Sequence, residues 1–127
     1  MKFIHLSDLH IGKRVNEFSM INDQKYILEQ ILNIIANEEI NAVIVSGDVY
    51  DKSIPAVEAV TVFDDFLTEL ATKDIPTLII SGNHDSPERI AFGAGLMAPS
   101  GVHLSPVYNG RVEPVTLSDA YGEVRFY

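Results

Sequence analysis

Residues 42–51 read Ala42-Val43-Ile44-Val45-Ser46-Gly47-Asp48-Val49-Tyr50-Asp51. The first four are apolar and three of them are β-branched, the pattern of a strand buried on both sides. Ser46-Gly47-Asp48 then turns the chain into a polar loop. A glycine directly after a strand permits a tight turn and lets the backbone approach a ligand closely. The same passage from apolar run to polar loop occurs twice more. Lys2 to Ser7 leads into Asp8-Leu9-His10, and Thr77 to Ser81 leads into Gly82-Asn83-His84-Asp85.

Helical patterns separate the three strands. Ile27, Leu28, Ile31, Leu32, Ile34 and Ile35 recur at helical spacing. Asn22 or Asp23 is placed to cap this helix, which ends near Asn37. Pro55 suits the first turn of a second helix, with Ala56, Val60, Phe63, Leu67 and Leu70 on one face and an end near Lys73. Ser86-Pro87-Glu88 offers a cap, a first helical position and an acidic first turn for a third helix, running to about Met97; Asp85 is a candidate for the same cap. The order is β-α-β-α-β-α, which predicts an α/β domain with a parallel sheet covered on both faces and the first strand near its centre. The pattern then changes. Asn109-Gly110 is a hairpin turn signal, and Arg111–Leu117 and Gly122–Tyr127 read as antiparallel strands joined at Ser118–Tyr121.

The chain has 127 residues, enough for one domain with a single core. It contains no cysteine, which excludes a disulfide scaffold, a cysteine-ligated metal and a thiol nucleophile. No run approaches the ~18 apolar residues of a membrane span, and Asp8 arrives too early for a secretory leader. A cytoplasmic protein is expected. Nine Lys and Arg against 18 Asp and Glu give a formal charge of −9. Residues 1–85 hold 14 acids and 6 bases, a net of −8, so the acidity gathers where the three loops lie. This is not the footprint of a broad electrostatic grip on nucleic acid.

In an open parallel sheet the carboxyl ends of neighbouring strands form one crevice. The three loops therefore converge, bringing Asp8, Asp48, Asp51, Asp85, His10, His84 and Asn83 to one edge. Carboxylates gathered this way repel one another unless a cation intervenes. Carboxylate, imidazole and amide oxygen together suit a first-row divalent metal such as manganese or iron, and two ions would match this number of ligands. Each motif alone reads equally as a polar turn; their order, each directly after an apolar strand, does not.

Asp-x-His, Gly-Asp-x-x-Asp and Gly-Asn-His-Asp in this order resemble the calcineurin-like metallophosphoesterase superfamily. The blocks HLSDLHIGK, SGDVYDKSIPAVEAV and ISGNHDSPERIAFG are similar to its SbcD-type nuclease subunits, over about residues 1–105. The resemblance implies a metallophosphoesterase sandwich, of which residues 1–127 form the amino-terminal part. It implies two divalent ions, Mn2+ foremost: Asp8 and His10 on the first, Asp48 bridging, Asn83 on the second. His84 is then the catalytic histidine and Asp51 its orienting carboxylate. The family completes its site with later Gly-His motifs. Here the only other histidines are His5, expected to be packed or to support a ligand from behind, and His103, expected at the surface, so the chain reads as a truncated domain, inactive by itself. The implied reaction is hydrolysis of DNA phosphodiesters, exonucleolytic on duplex ends and endonucleolytic on single strands or hairpins, in recombination, replication and repair. The implied partner is an SbcC-type coiled-coil ATPase. A phosphodiesterase for cyclic nucleotides or other small substrates, and a non-catalytic interaction module, are the competing readings.

Two helices carry more apolar residues than one buried stripe requires. These are Val57, Val60, Val62, Phe63, Phe66 and Leu67 on the second, and Ile90, Phe92, Leu96 and Met97 on the third. With the resemblance, this predicts a homodimer joined through these helices; the alternatives are that Val62 and Phe66 pack beneath neighbouring loops, or that apolar surface exposed by truncation pairs non-natively.

Overall fold

A computed structural model describes residues 1–127. Its centre is a four-stranded parallel sheet of β1 (Phe3–Leu6), β4 (Ala42–Ser46), β5 (Thr77–Ile80) and β6 (Val102–Leu104), in that spatial order. β1, expected near the centre, is an edge strand of this sheet. Register pairs Leu6 with Val45 and Ser46 with Ile80, so the strands end level and their loops emerge together.

The two long helices are α1 (Ile21–Asn37) and α2 (Val57–Thr72). Both pack on the same face of the sheet. Leu28 and Ile35 of α1 and Phe63, Phe66 and Leu70 of α2 join Val43, Val45, Ile79 and Val102 in one core. The expectation of cover on both faces fails for a topological reason. Parallel crossovers are right-handed, and this strand order advances in one direction only, so successive helices fall on one side. On the opposite face Phe3 and Ile80 are half exposed, His5 is exposed, and Ile44, Leu78 and His103 are half-buried. His5 is therefore not packed; its Nε2 lies 2.7 Å from the Ser46 hydroxyl across the open face.

The helix ends differ from the sequence reading. α1 starts at Ile21, so Asn22 and Asp23 lie in its first turn rather than at its cap; the Ser19 hydroxyl is the nearest side-chain acceptor, 3.4 Å from Ile21 N. Pro55 precedes α2, whose flanking residue is the extended Ala56. The third helix is short. α3 (Pro87–Ile90) gives way to turns, Gly93 takes φ +77°, and α4 (Ala94–Met97) and a 3-10 turn (Ala98–Ser100) follow. A left-handed residue stops a helix.

Between β1 and α1, β2 (Arg14–Val15) and β3 (Phe18–Ser19) form a ribbon turned by Asn16 and Glu17, both at positive φ. Asn109-Gly110 is not flanked by strands. Pro106 and Pro114 remove ladder donors on either side, and the hairpin forms later, from β7 (Val115–Asp119) and β8 (Gly122–Phe126). It is tied back to the sheet by Phe126, edge-on to Phe3 at 6.0 Å, and by an ion pair between the Met1 amino group and Asp119. That pairing holds the Asp119 carboxyl below its ordinary range. No helix is long and apolar enough to cross a membrane.

Candidate metal centre

The three loops meet at the carboxyl edge, and main-chain hydrogen bonds lace the first two. Asp8 N donates to Gly47 O at 3.3 Å, His10 N to Asp48 O at 2.9 Å and Ile11 N to Val49 O at 2.9 Å. Asp51 N returns the contact to Ile11 O at 3.2 Å. Gln24, on the first turns of α1, supports the first loop from behind. Its amide donates to the Leu9 and His10 carbonyls and accepts from Gly12 N. This lacing holds Asp8, His10 and Asp48 at φ of 54°, 43° and 49°. Left-handed backbone at non-glycine residues costs about 1–3 kcal/mol each and persists where the surroundings over-determine it.

Loops two and three meet backbone to backbone. A Cβ on Gly82 would lie 2.2 Å from Asp48 Oδ1 and 2.3 Å from Asp48 N, and one on Gly47 would lie 2.7 Å from Gly82 Cα. Asp48, 8% exposed, accepts the His84 N–H on Oδ1 at 2.9 Å. Its other oxygen lies 3.8 Å from His10 Nε2, and Asp8 Oδ1 lies 3.9 Å from the same nitrogen. These separations exceed a hydrogen bond but suit a shared cation with bonds of about 2.0–2.2 Å.

His10, Asp48 and His84 offer ligand atoms that all lie within 4.8 Å of one another. The two rings meet edge to face with centroids 4.8 Å apart. His10 Nδ1 is buried without a hydrogen-bond partner, and the Asp51 carboxylate stands 3.6 Å from it. A metal-ligating histidine commonly presents its second nitrogen to a carboxylate in this way. The donor set therefore fits a divalent metal at His10, Asp48 and Asp8.

Other residues stand differently from the expectation. The Asp51 carboxylate faces His10, whereas His84 Nδ1 reaches the main-chain carbonyl of Asp51 at 3.2 Å. Asn83 is exposed and makes no side-chain hydrogen bond. Asp85, a candidate helix cap by sequence, turns away from α3 and accepts hydrogen bonds from main-chain N–H groups of its own loop (Gly82) and of the second loop (Val49, Tyr50). Ser86 does not cap with its side chain; its hydroxyl donates to Glu88 at 3.0 Å. Burial, with the charges of Asp85 and Asp64 added, pushes the Tyr50 phenol up to about 12, so it stays neutral beside the site.

The calcineurin-like phosphoesterase family model matches residues 1–125. The chain belongs to this family. Among similar proteins are two staphylococcal ones, each named as the SbcD component of the nuclease SbcCD. The Staphylococcus saprophyticus protein is 34% identical over 128 residues, covering 100% of this chain and 33% of the relative. The Staphylococcus epidermidis protein is 33% identical over 119 residues, covering 93% and 32%. The chain thus spans about a third of the length of these relatives. The family match agrees with the mixed α/β architecture.

Proposed function

We propose that the chain is the amino-terminal part of a metal-dependent DNA nuclease subunit that hydrolyses phosphodiester bonds with two divalent ions, Mn2+ foremost. The observation that carries this reading is the convergence of His10, Asp48 and His84 at one strand edge. The names of the two similar proteins supply the substrate class. Exonuclease action on duplex ends, endonuclease action on single strands or hairpins, and work beside an SbcC-type ATPase belong to the same proposal.

Divalent metal, when bound, activates water as the nucleophile and neutralises charge on the phosphate. Asp8, His10 and Asp48 would hold it, and Asn83 would serve a second ion through its side-chain oxygen. His84 acts on the leaving oxygen. Its Nδ1–H donates to the Asp51 carbonyl, which fixes the ring and leaves Nε2 free to carry the transferred proton. Asp51 presents its carboxylate to His10 Nδ1 and so orients that ligand instead.

The open sheet face is the natural seat for the second layer of a sandwich, supplied by the polypeptide that the relatives have beyond this third. The isolated 127 residues then bind metal weakly. Calorimetry with Mn2+ tests this on the isolated chain, and a Mn2+-dependent nuclease assay tests the complete subunit. Two tight sites in the isolated chain defeat the truncation argument. Activity on bis(p-nitrophenyl) phosphate or cyclic nucleotides without any cleavage of DNA favours the small-substrate reading.

A homodimer through α2 and the segment after Pro87 is proposed on altered grounds. Val62, Phe63, Phe66, Leu67 and Ile90 are buried in the core, whereas Val57 is 83%, Phe92 84% and Leu96 87% exposed. Leu96 also borders a groove of about 720 Å³ against Asp64, Leu67 and Thr68 of α2. Leu96→Glu in the complete subunit is expected to give a folded monomer by light scattering. Phe66→Glu instead unfolds the protein, because an unpaired charge enters the core. An unchanged dimer in the Leu96 variant puts the interface elsewhere.

A further inference from the structure

The Asp85 carboxylate is 6% exposed and forms no ion pair, yet it sits among the catalytic loops. It accepts three main-chain hydrogen bonds. Gly82 N donates to Oδ2 at 2.9 Å, Val49 N to Oδ2 at 3.1 Å and Tyr50 N to Oδ1 at 3.0 Å. The last two donors directly follow Asp48. Asp48 in turn accepts the N–H of His84, the residue directly before Asp85. Each loop thus grips the backbone of the other through an aspartate, the second loop through the ligand Asp48 itself and the third through Asp85 beside His84.

We propose that Asp85 is a positioning residue for phosphodiester hydrolysis, setting the distance between Asp48 and His84 through their main chains. The proposal rests on the functional reading above. Its chemistry is specific to a carboxylate. Two oxygens accept three converging N–H groups, whereas an asparagine has one acceptor oxygen and must turn an NH2 toward a donor. A role in capping does not account for it, since the Arg89 and Ile90 amides of α3 bond to the Ser86 carbonyl and Asp85 makes no cap bond to the helix. The backbones approach closely at Gly47 and Gly82, where an added Cβ on Gly47 would lie 2.7 Å from Gly82 Cα, so a shift of either main chain on loss of the clamp carries Asp48 or His84 with it.

The test uses the complete subunit with Mn2+ and a DNA oligonucleotide, whose alkoxide leaving group needs the proton, comparing wild type, Asp85→Asn and Ile35→Ala. Ile35 is a core residue of α1, 2% exposed and several turns from the site, and its truncation lowers stability without touching the loops. Asp85→Asn is expected to lower kcat about 100-fold, the scale of a 1 Å misplacement, with KM hardly changed. Mn2+ affinity is expected to fall by about 10–100-fold, as for other groups that orient ligands. Ile35→Ala keeps both values per folded molecule.

Wild-type kcat and Mn2+ affinity in a destabilised Asp85→Asn variant overturn the proposal. If that variant does not fold, Asp85→Glu restores both acceptor oxygens one methylene further out, and is expected to fold with the same two losses. Wild-type values there, or failure of both variants to fold, also overturn it, because Asp85 is then a folding determinant alone. A wild-type subunit inert toward every phosphodiester sinks the functional reading instead.

Discussion

His84→Ala in the complete subunit is expected to lower phosphodiester hydrolysis by about 10²–10⁴, the usual cost of losing a positioned proton donor, while Mn2+ binding persists. The ring is exposed, anchored at Nδ1 by a single contact to the Asp51 carbonyl, and reached from Asp48 only through its main-chain N–H. Substituting the side chain leaves that N–H in place, so Asp48 keeps its orientation. The competing role is ligation, because His84 shares the 4.8 Å cluster with His10 and Asp48. Calorimetry separates the two. An acid leaves the Mn2+ affinity near wild type, whereas a ligand takes one site with it. A substrate with a good leaving group gives a second check, because it needs no protonation and is expected to recover most of its rate. Equal loss on both substrates, together with a lost metal, assigns His84 to the metal.

The fold is legible where periodicity and strand chemistry agree. Ala42–Ser46 and Thr77–Ile80 are readable because β-branched runs end at glycine or serine, and α1 and α2 because their apolar residues recur every three to four positions. Sequence does not say which face of the sheet the helices cover. That depends on strand order and crossover hand, and nothing in Phe3 or Ile80 distinguishes an open face from a buried one. The third helix is shorter than its composition suggests because a glycine within a helical pattern is often tolerated, yet the left-handed backbone of Gly93 breaks it there. Asn109-Gly110 is a turn signal without a hairpin because the prolines on both sides forbid the ladder that would flank it.

At the site, the converging loops follow from the strand ends alone. What the sequence hides is reach. Asp51 offers its carbonyl to one histidine and its carboxylate near the other, and no spacing rule separates those roles. Gln24 supports the first loop from a helix position indistinguishable in sequence from a solvated one. Asp85 resembles a helix cap because of the proline two residues later, and only the placement of the second loop turns it toward Val49 and Tyr50.

The second large effect belongs to a residue with no side chain. Gly82→Ala is expected to cost at the upper end of about 1–3 kcal/mol or beyond, the scale of overpacking, and to abolish metal binding as well. The added methyl would lie 2.2 Å from the Asp48 carboxylate and 2.3 Å from Asp48 N. A side chain can rotate away, but a main-chain nitrogen in a loop laced to its neighbour cannot. The ends of β4 and β5 must separate, which breaks the Val49 N and Tyr50 N bonds to Asp85 and the His84 N bond to Asp48 together. Gly95→Ala is the matched control. Gly95 lies in α4 with nothing within 4 Å of a new Cβ, and its replacement is expected to be neutral or to stabilise by up to about 1 kcal/mol from helix propensity. Urea denaturation and Mn2+ calorimetry on both variants read the difference. A Gly82→Ala protein with wild-type stability and wild-type metal affinity would mean that the two loops are not in contact, and the site as described would fall with them.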